Sequence, residues 1–220
     1  QLGQVALTMR DHAQLNPRAQ MYGKPLSMEA YLDSRPIAEP YHLFDCCPET
    51  DGAVAIIMTT SDRAKDASQK PVYLQGISEG HANSPDDLCN RKDFFNTGLT
   101  KAAPRAFEMA EVTPGDVDAA MIYDCFTFEV IHQLEEAGFC PRGEGGPFVA
   151  DGSISLNGKL PVNTHGGLLS EGHLAGLNHV AEAVRQLRGQ CGERQLQDAE
   201  IIAVTGWGDM GDGSMALLRR

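Results

Sequence analysis

Asn163-Thr164-His165-Gly166-Gly167-Leu168-Leu169-Ser170-Glu171-Gly172-His173-Leu174-Ala175-Gly176 sets two histidines among glycines and small residues, just before the clearest helix of the chain. In that helix Leu174, Leu177, Val180, Val184 and Leu187 recur at three- and four-residue steps, with Arg185 and Arg188 off the stripe. Backbone without Cβ permits close approach to a ligand. The loop therefore reads as a cleft wall presenting His165 and His173, with ordinary loop histidines as the competing reading. His179 lies six residues beyond His173, which does not place both on one helix face, and reads as packed or capping. No HExxH or Cys/His finger spacing accompanies the three, so no metal is expected.

Working outward, Asp116 to Tyr123 reads as a strand running into Asp124. Phe126 to Ala137 follows as a helix, with Phe126, Val130, Ile131, Leu134 and Ala137 on one face and Gly138 as its stop. Tyr123-Asp124-Cys125-Phe126 thus lies at a strand-to-helix handover, where open α/β folds carry functional side chains. Cys125 reads more readily as a small buried thiol than as a nucleophile. Further strands are expected over Ala53–Met58, Val72–Ile77, Glu200–Thr205 and Ser214–Leu218. A helix is expected over Thr100–Ala110, with Pro104 in or near its first turn, and a glycine-rich loop over Gly143–Gly158. Gln1 to Pro48 reads as irregular, punctuated by Pro17, Pro25, Pro36, Pro40 and Pro48, with one short helix capped by Ser27. Alternating strands and helices give an α/β layered fold.

Gly206-Trp207-Gly208-Asp209-Met210-Gly211 formally matches GxGxxG after a strand. A dinucleotide site needs a helix next and an acidic residue about 20 positions on. The nine residues after Gly211 read as a strand, so the glycines form a turn, and Gly206 and Gly208 can line a cleft.

The 220 residues hold 30 acidic against 18 basic side chains, a net charge of −12. That argues against nucleic acid, whose phosphates need a basic face. No apolar run reaches membrane-spanning length. Gln1-Leu2-Gly3-Gln4 has neither the basic start nor the apolar core of a secretory signal. Cys46, Cys47, Cys89, Cys125, Cys140 and Cys191 include no CxxC and read as reduced, mostly buried thiols of a cytoplasmic protein.

Taken in order, these segments resemble the thiolase superfamily, in particular the sterol-carrier-protein-2-type thiolases and the bacterial lipid-transfer-protein thiolase-like group. Tyr123-Asp124-Cys125-Phe126 looks like that group's His-Asp-Cys-Phe motif. Gly138 to Gly146 matches its next block. Asn163 to Gly176 is similar to the Asn-x-x-Gly-Gly…Gly-His-Pro-x-Gly signature, with Leu174 in place of the proline. Gln186-Leu187-Arg188-Gly189 and Gly192-Glu193-Arg194-Gln195 match the helix end that follows. Cys46-Cys47-Pro48 and Asp51-Gly52-Ala53 fit the close of the family's N-terminal domain.

The resemblance implies a five-stranded mixed sheet between helices. Residues 1–60 would be the end of the N-terminal domain with a loop-region remnant, and 61–220 the C-terminal domain. It implies catalytic roles for His173 and Tyr123 at an oxyanion hole, with Asp124, Cys125, His165, Gly166, Gly167, Gly206 and Gly208 lining the site. The family's C-terminal Cys-x-Gly should fall near Gly206-Trp207-Gly208, and no cysteine is there. That departure favours relatives that resemble aldolases and cleave a β-hydroxyacyl-CoA, such as a steroid side-chain thioester, without a covalent intermediate. A true thiolase or acyltransferase with its nucleophile in an N-terminal half, and a non-catalytic scaffold subunit, remain open. Expected partners are acyl-CoA as substrate with no resident cofactor, an N-terminal thiolase half, a homodimer mate and a small OB-fold/zinc-ribbon protein.

Overall fold

A computed structural model describes residues 1–83, 91–208 and 211–220; Cys89, Asp209 and Met210 lie outside the described residues. Helices run over Leu2–Gln14 (α1), Met28–Leu32 (α2), Ser61–Ala64 (α3), Leu99–Ala110 (α4), Thr127–Glu136 (α5), Gly145–Ala150 (α6), Gly167–Ser170 (α7) and Leu177–Arg188 (α8). Strands run over Pro36–Ala38 (β1), Tyr41–His42 (β2), Tyr73–Gly80 (β3), Ala119–Met121 (β4), Ile201–Trp207 (β5) and Gly213–Arg219 (β6).

The main sheet has the order β3-β6-β5-β4, and β1-β2 form a separate two-stranded ribbon. β6 runs antiparallel to both its neighbours, while β4 and β5 are parallel, so the sheet is mixed. Among the described residues four strands stand where five were expected. The fifth position, beside β4, is held by a single parallel bridge between Ala120 and Val162. There Ala120 N–H donates to Pro161 O, and Asn163 N–H donates to Ala120 O.

Alternation along the central strands explains the layers. Ile201, Ala203, Ala120 and Ile122 bury on one face, against Val5 and Met9 of α1, Leu99 and Ala106 of α4, and Val130 and Leu134 of α5. Ile202, Val204, Ala119 and Met121 bury on the other, against Ala183 and Leu187 of α8. α4 approaches the end of β3 so closely that a Cβ on Gly98 would lie 1.9 Å from Gly80 O. Only glycine allows that contact, which fixes His81 at the sheet's rim.

Several expectations are corrected. The opening stretch contains α1, because its prolines all lie beyond residue 16, and Val5, Met9 and Ala13 recur at helical steps as buried core. Ala53–Met58 has no regular secondary structure, and Ile57 is 93 % exposed. A β-branched run becomes a strand only where a neighbour accepts its backbone bonds, and no described strand lies beside it. Pro104 sits at the sixth position of α4, on its exposed side. The glycine-rich loop includes α6, and the strand expected to run from Asp116 is three residues long. The Ser27 cap forms as expected, with its hydroxyl accepting from Ala30 N–H at 3.1 Å.

Candidate functional site

β3, β4 and β5 end, and β6 begins, at one end of the sheet. Tyr123 lies two residues past β4, and its backbone is fixed on both sides. Its N–H donates to Thr205 Oγ1 at 3.2 Å, and its carbonyl accepts from Gln133 Nε2 at 2.7 Å. The tyrosine hydroxyl stands 3.2 Å from His173 Nε2, with the two rings edge-on and their centroids 5.9 Å apart. Both side chains are half-buried. His173 sits on the loop between α7 and α8, and its N–H donates to Thr50 Oγ1 at 3.0 Å.

Tyr123, Gly206 and Gly208 line one cleft of about 450 Å³, together with Gly176, Val204 and Trp207. A larger cleft of about 550 Å³ lies between Arg18, Arg185 and Arg194, where α1 and α8 end. Two helix C-termini oppose an anion there, and neither Tyr123 nor His173 reaches it.

The structure puts the other expected site residues underneath. His165 is fully buried, contrary to its reading as an exposed imidazole, and Gly166 and Gly167 are buried with it. His165 Nε2 lies 3.0 Å from His179 Nδ1 and 3.6 Å from Glu171 Oε2. His179 Nε2 lies 3.2 Å from Asp124 Oδ1. Asp124, also fully buried, accepts from Leu168 N–H at 2.7 Å and Leu169 N–H at 3.3 Å, at the start of α7. A Cβ on Gly167 would fall 1.9 Å from Asp124 Oδ2, and the residue has φ +65°, so glycine is required there twice over. Asp124, His179 and His165 are thus a buried support beneath Tyr123, whose ring centroid is 6.5 Å from that of His179.

Burial pushes the Cys125 thiol up to about 12, which leaves it protonated and a poor nucleophile. Among the described residues no three His, Cys, Asp or Glu side chains converge to hold a metal ion. The glycines after β5 lead into β6, not a helix. Without a helix N-terminus to receive a pyrophosphate, we expect no saturable NAD or FAD binding by equilibrium titration; binding that Gly208→Val removes would contradict this.

The buried histidines set an acid limit on stability. Burial lowers His165, and it pushes His12 down to about 4. The unfolded chain protonates these rings near 6.5, before the folded one does, so each contributes instability as pH falls from about 6.5 toward 4. Burial alone would raise Glu182, but the Arg194 guanidinium outweighs it and holds the carboxyl at about 2. Its contribution is present above the unfolded value near 4.5 and is lost as pH falls through about 2. Thermal unfolding from pH 8 to pH 3 should show a melting temperature that begins to drop below about 6.5; a flat profile to pH 4 would contradict the neutral buried pair.

The structure brings the handover tyrosine and the histidine of the Gly-His loop together at one end of a mixed sheet. Residues 80–219 match the family model described as "Thiolase C-terminal domain-like". The chain belongs to the thiolase superfamily. Among its thiolase-superfamily relatives, the 17-hydroxy-3-oxo-4-pregnene-20-carboxyl-CoA lyase of Mycobacterium tuberculosis is 45% identical over 193 residues, covering 85% of this chain and 49% of the relative. The steroid side-chain-cleaving aldolase of Thermomonospora curvata is 37% identical over 209 residues, 94% of this chain and 54% of the relative. The solved structure of an Ltp2-ChsH2(DUF35) aldolase superposes with a TM-score of 0.91 at 35% identity, over 99% of this chain and 57% of that one. The chain spans about half the length of the curated relatives it matches.

Two features of the site were missed by sequence reasoning. His81 lies 131 positions from Asp212, to which it pairs, and no local pattern links them. The His165–His179 contact spans 14 positions, and its only sequence signal was the density of histidines around a helix start.

Proposed function

We propose that this chain is the C-terminal part of an aldolase that cleaves a β-hydroxyacyl-CoA between its α- and β-carbons. The observation that carries this reading is the 3.2 Å contact of the Tyr123 hydroxyl with His173 Nε2, beside a glycine turn that holds Trp207 and no cysteine. A Claisen reaction of the thiolase type needs a thiol acid/base at the α-carbon; retro-aldol cleavage does not. A base takes the proton of the β-hydroxyl, and the oxygen lone pair becomes a carbonyl. The Cα–Cβ bond breaks, and its electrons pass into the thioester as an enolate, which is then protonated at the α-carbon. A donor at the thioester oxygen stabilises the developing charge. Tyr123 and His173 share these two roles. The electrons balance without an oxidant or resident cofactor, so acyl-CoA enters as substrate.

The substrate class follows the two relatives: a steroid acyl-CoA, with the 17-hydroxyl and 3-oxo group that the name of the Mycobacterium tuberculosis lyase carries. The exposed Ile56, Ile57 and Met58, with Leu74 on β3, suit cover by the remaining thiolase half, by a homodimer mate, or by a small OB-fold/zinc-ribbon partner; the solved aldolase pairs Ltp2 with ChsH2(DUF35). A cytoplasmic setting accords with reduced thiols. The complete enzyme, given such a β-hydroxyacyl-CoA, should release a ketone and a shortened acyl-CoA by mass spectrometry. Cleavage that needs free CoA and passes through a trapped acyl-enzyme would overturn this in favour of a thiolase.

A further inference from the structure

The cleft that holds Tyr123 is also lined by Glu79, His81 and Asp212, ionisable groups that the retro-aldol step does not use. His81 lies one residue past β3, and Asp212 one residue before β6. His81 Nδ1 is 2.7 Å from Asp212 Oδ1 in a solvent-exposed pair, and both residues line the cleft. The backbone at His81 is held as well, because Lys101 Nζ donates to His81 O at 2.7 Å and to Asn83 Oδ1 at 2.8 Å.

The sheet order puts His81 at the same end of the sheet as Tyr123 but at the opposite edge. Tyr123 follows β4 at one edge, and His81 follows β3 at the other. Three strand spacings of about 4.8 Å separate their backbones, about 14 Å in all. The Tyr123 hydroxyl is engaged by His173 Nε2 at 3.2 Å, which leaves the His81–Asp212 pair outside that couple. Between them the cleft is lined by Ile77, Leu177, Val180, Val204 and Ala216 and by the turn glycines. An apolar trough with a polar group fixed at its far end is how a site orients an apolar ligand that carries one terminal polar atom.

We propose that the His81–Asp212 pair recognises a hydrogen-bond-accepting oxygen, such as a ring ketone, on the part of the acyl group remote from the scissile bond. This rests on the aldolase reading above. With Nδ1–H directed at the Asp212 carboxylate, Nε2 carries a proton only when the ring is an imidazolium, so the contact is a charge-assisted donor. Among the described residues the charged groups around it are Asp212 on the β5–β6 hairpin, Glu79 on β3 and Lys101 on α4. The hydrogen bond to Asp212 is the leading influence and raises the imidazole above its ordinary value.

The test uses the complete enzyme and two polycyclic β-hydroxyacyl-CoA substrates, one with a ring ketone and one without it. At pH 6 the wild type should prefer the ketone by about tenfold in kcat/KM, the scale of one hydrogen bond. The preference should fade as pH rises through the raised His81 value. His81→Leu should bring the ratio close to one at every pH, and Asp212→Asn should move its loss to lower pH. A wild-type ratio of one, or a ratio that survives His81→Leu, overturns the proposal. If neither substrate is cleaved, the aldolase reading fails by itself. Equilibrium dissociation constants for the two acyl-CoAs, read for the same ratio and the same pH dependence, then decide the His81 contact separately.

Discussion

Tyr123→Phe in the complete enzyme should lower cleavage of a β-hydroxyacyl-CoA by about 100-fold or more, the scale of losing one proton-transfer group, with little change in melting temperature. The substitution keeps the ring, so the edge-on contacts with His173 and His179 stay in place. The bonds from Thr205 and Gln133 are to Tyr123 backbone atoms and do not involve the hydroxyl. What goes is the oxygen 3.2 Å from His173 Nε2. If the two groups work on the same proton, the double variant Tyr123→Phe/His173→Ala should be no slower than the worse single one, as for residues that act as a unit. Cleavage that survives Tyr123→Phe would make the residue packing at the sheet–helix boundary, and the retro-aldol assignment would lose its main support.

Much of this could be read from the sequence where one element decides its own structure. The stripe on α8, the Phe126–Ala137 helix and the terminal hairpin follow from periodicity and glycine placement, and they appear within a few residues of expectation. The failures have physical causes. Ala53–Met58 has the composition of a strand, but strand formation depends on a neighbour and not on the segment alone. His165 looked exposed because glycines surround it. Yet Gly166 and Gly167 serve close packing against Ala13 and Asp124, and the imidazole turns inward to His179. Burial of a polar side chain is decided by its partners, which here lie on other elements. The His81–Asp212 pair is the extreme case: the sheet order brings β3 and the β5–β6 hairpin together, and nothing local to either residue announces it.

His173→Ala and His179→Ala should separate chemistry from support. His173 is half-buried, and Thr50 holds it through its backbone N–H, so the loop keeps its anchor when the ring is removed. Turnover of the complete enzyme should fall about 100-fold or more, in kcat more than in KM, with the fold intact. His179 is fully buried between two buried partners. Its removal leaves His165 Nε2 without its 3.0 Å contact, takes the imidazole from Asp124 Oδ1, and opens a cavity beside the Tyr123 ring. Each stranded buried polar group costs about 1–3 kcal/mol, so His179→Ala should lose about 3 kcal/mol or more of stability. Asp124 keeps its two backbone donors from Leu168 and Leu169, which limits the damage to the support and leaves the Tyr123 backbone fixed. Below its melting transition the His179 variant should therefore retain far more turnover than the His173 variant. Equal losses of turnover from both, with matching drops in melting temperature, would mean that His173 is structural and that the catalytic couple must be sought elsewhere in the cleft.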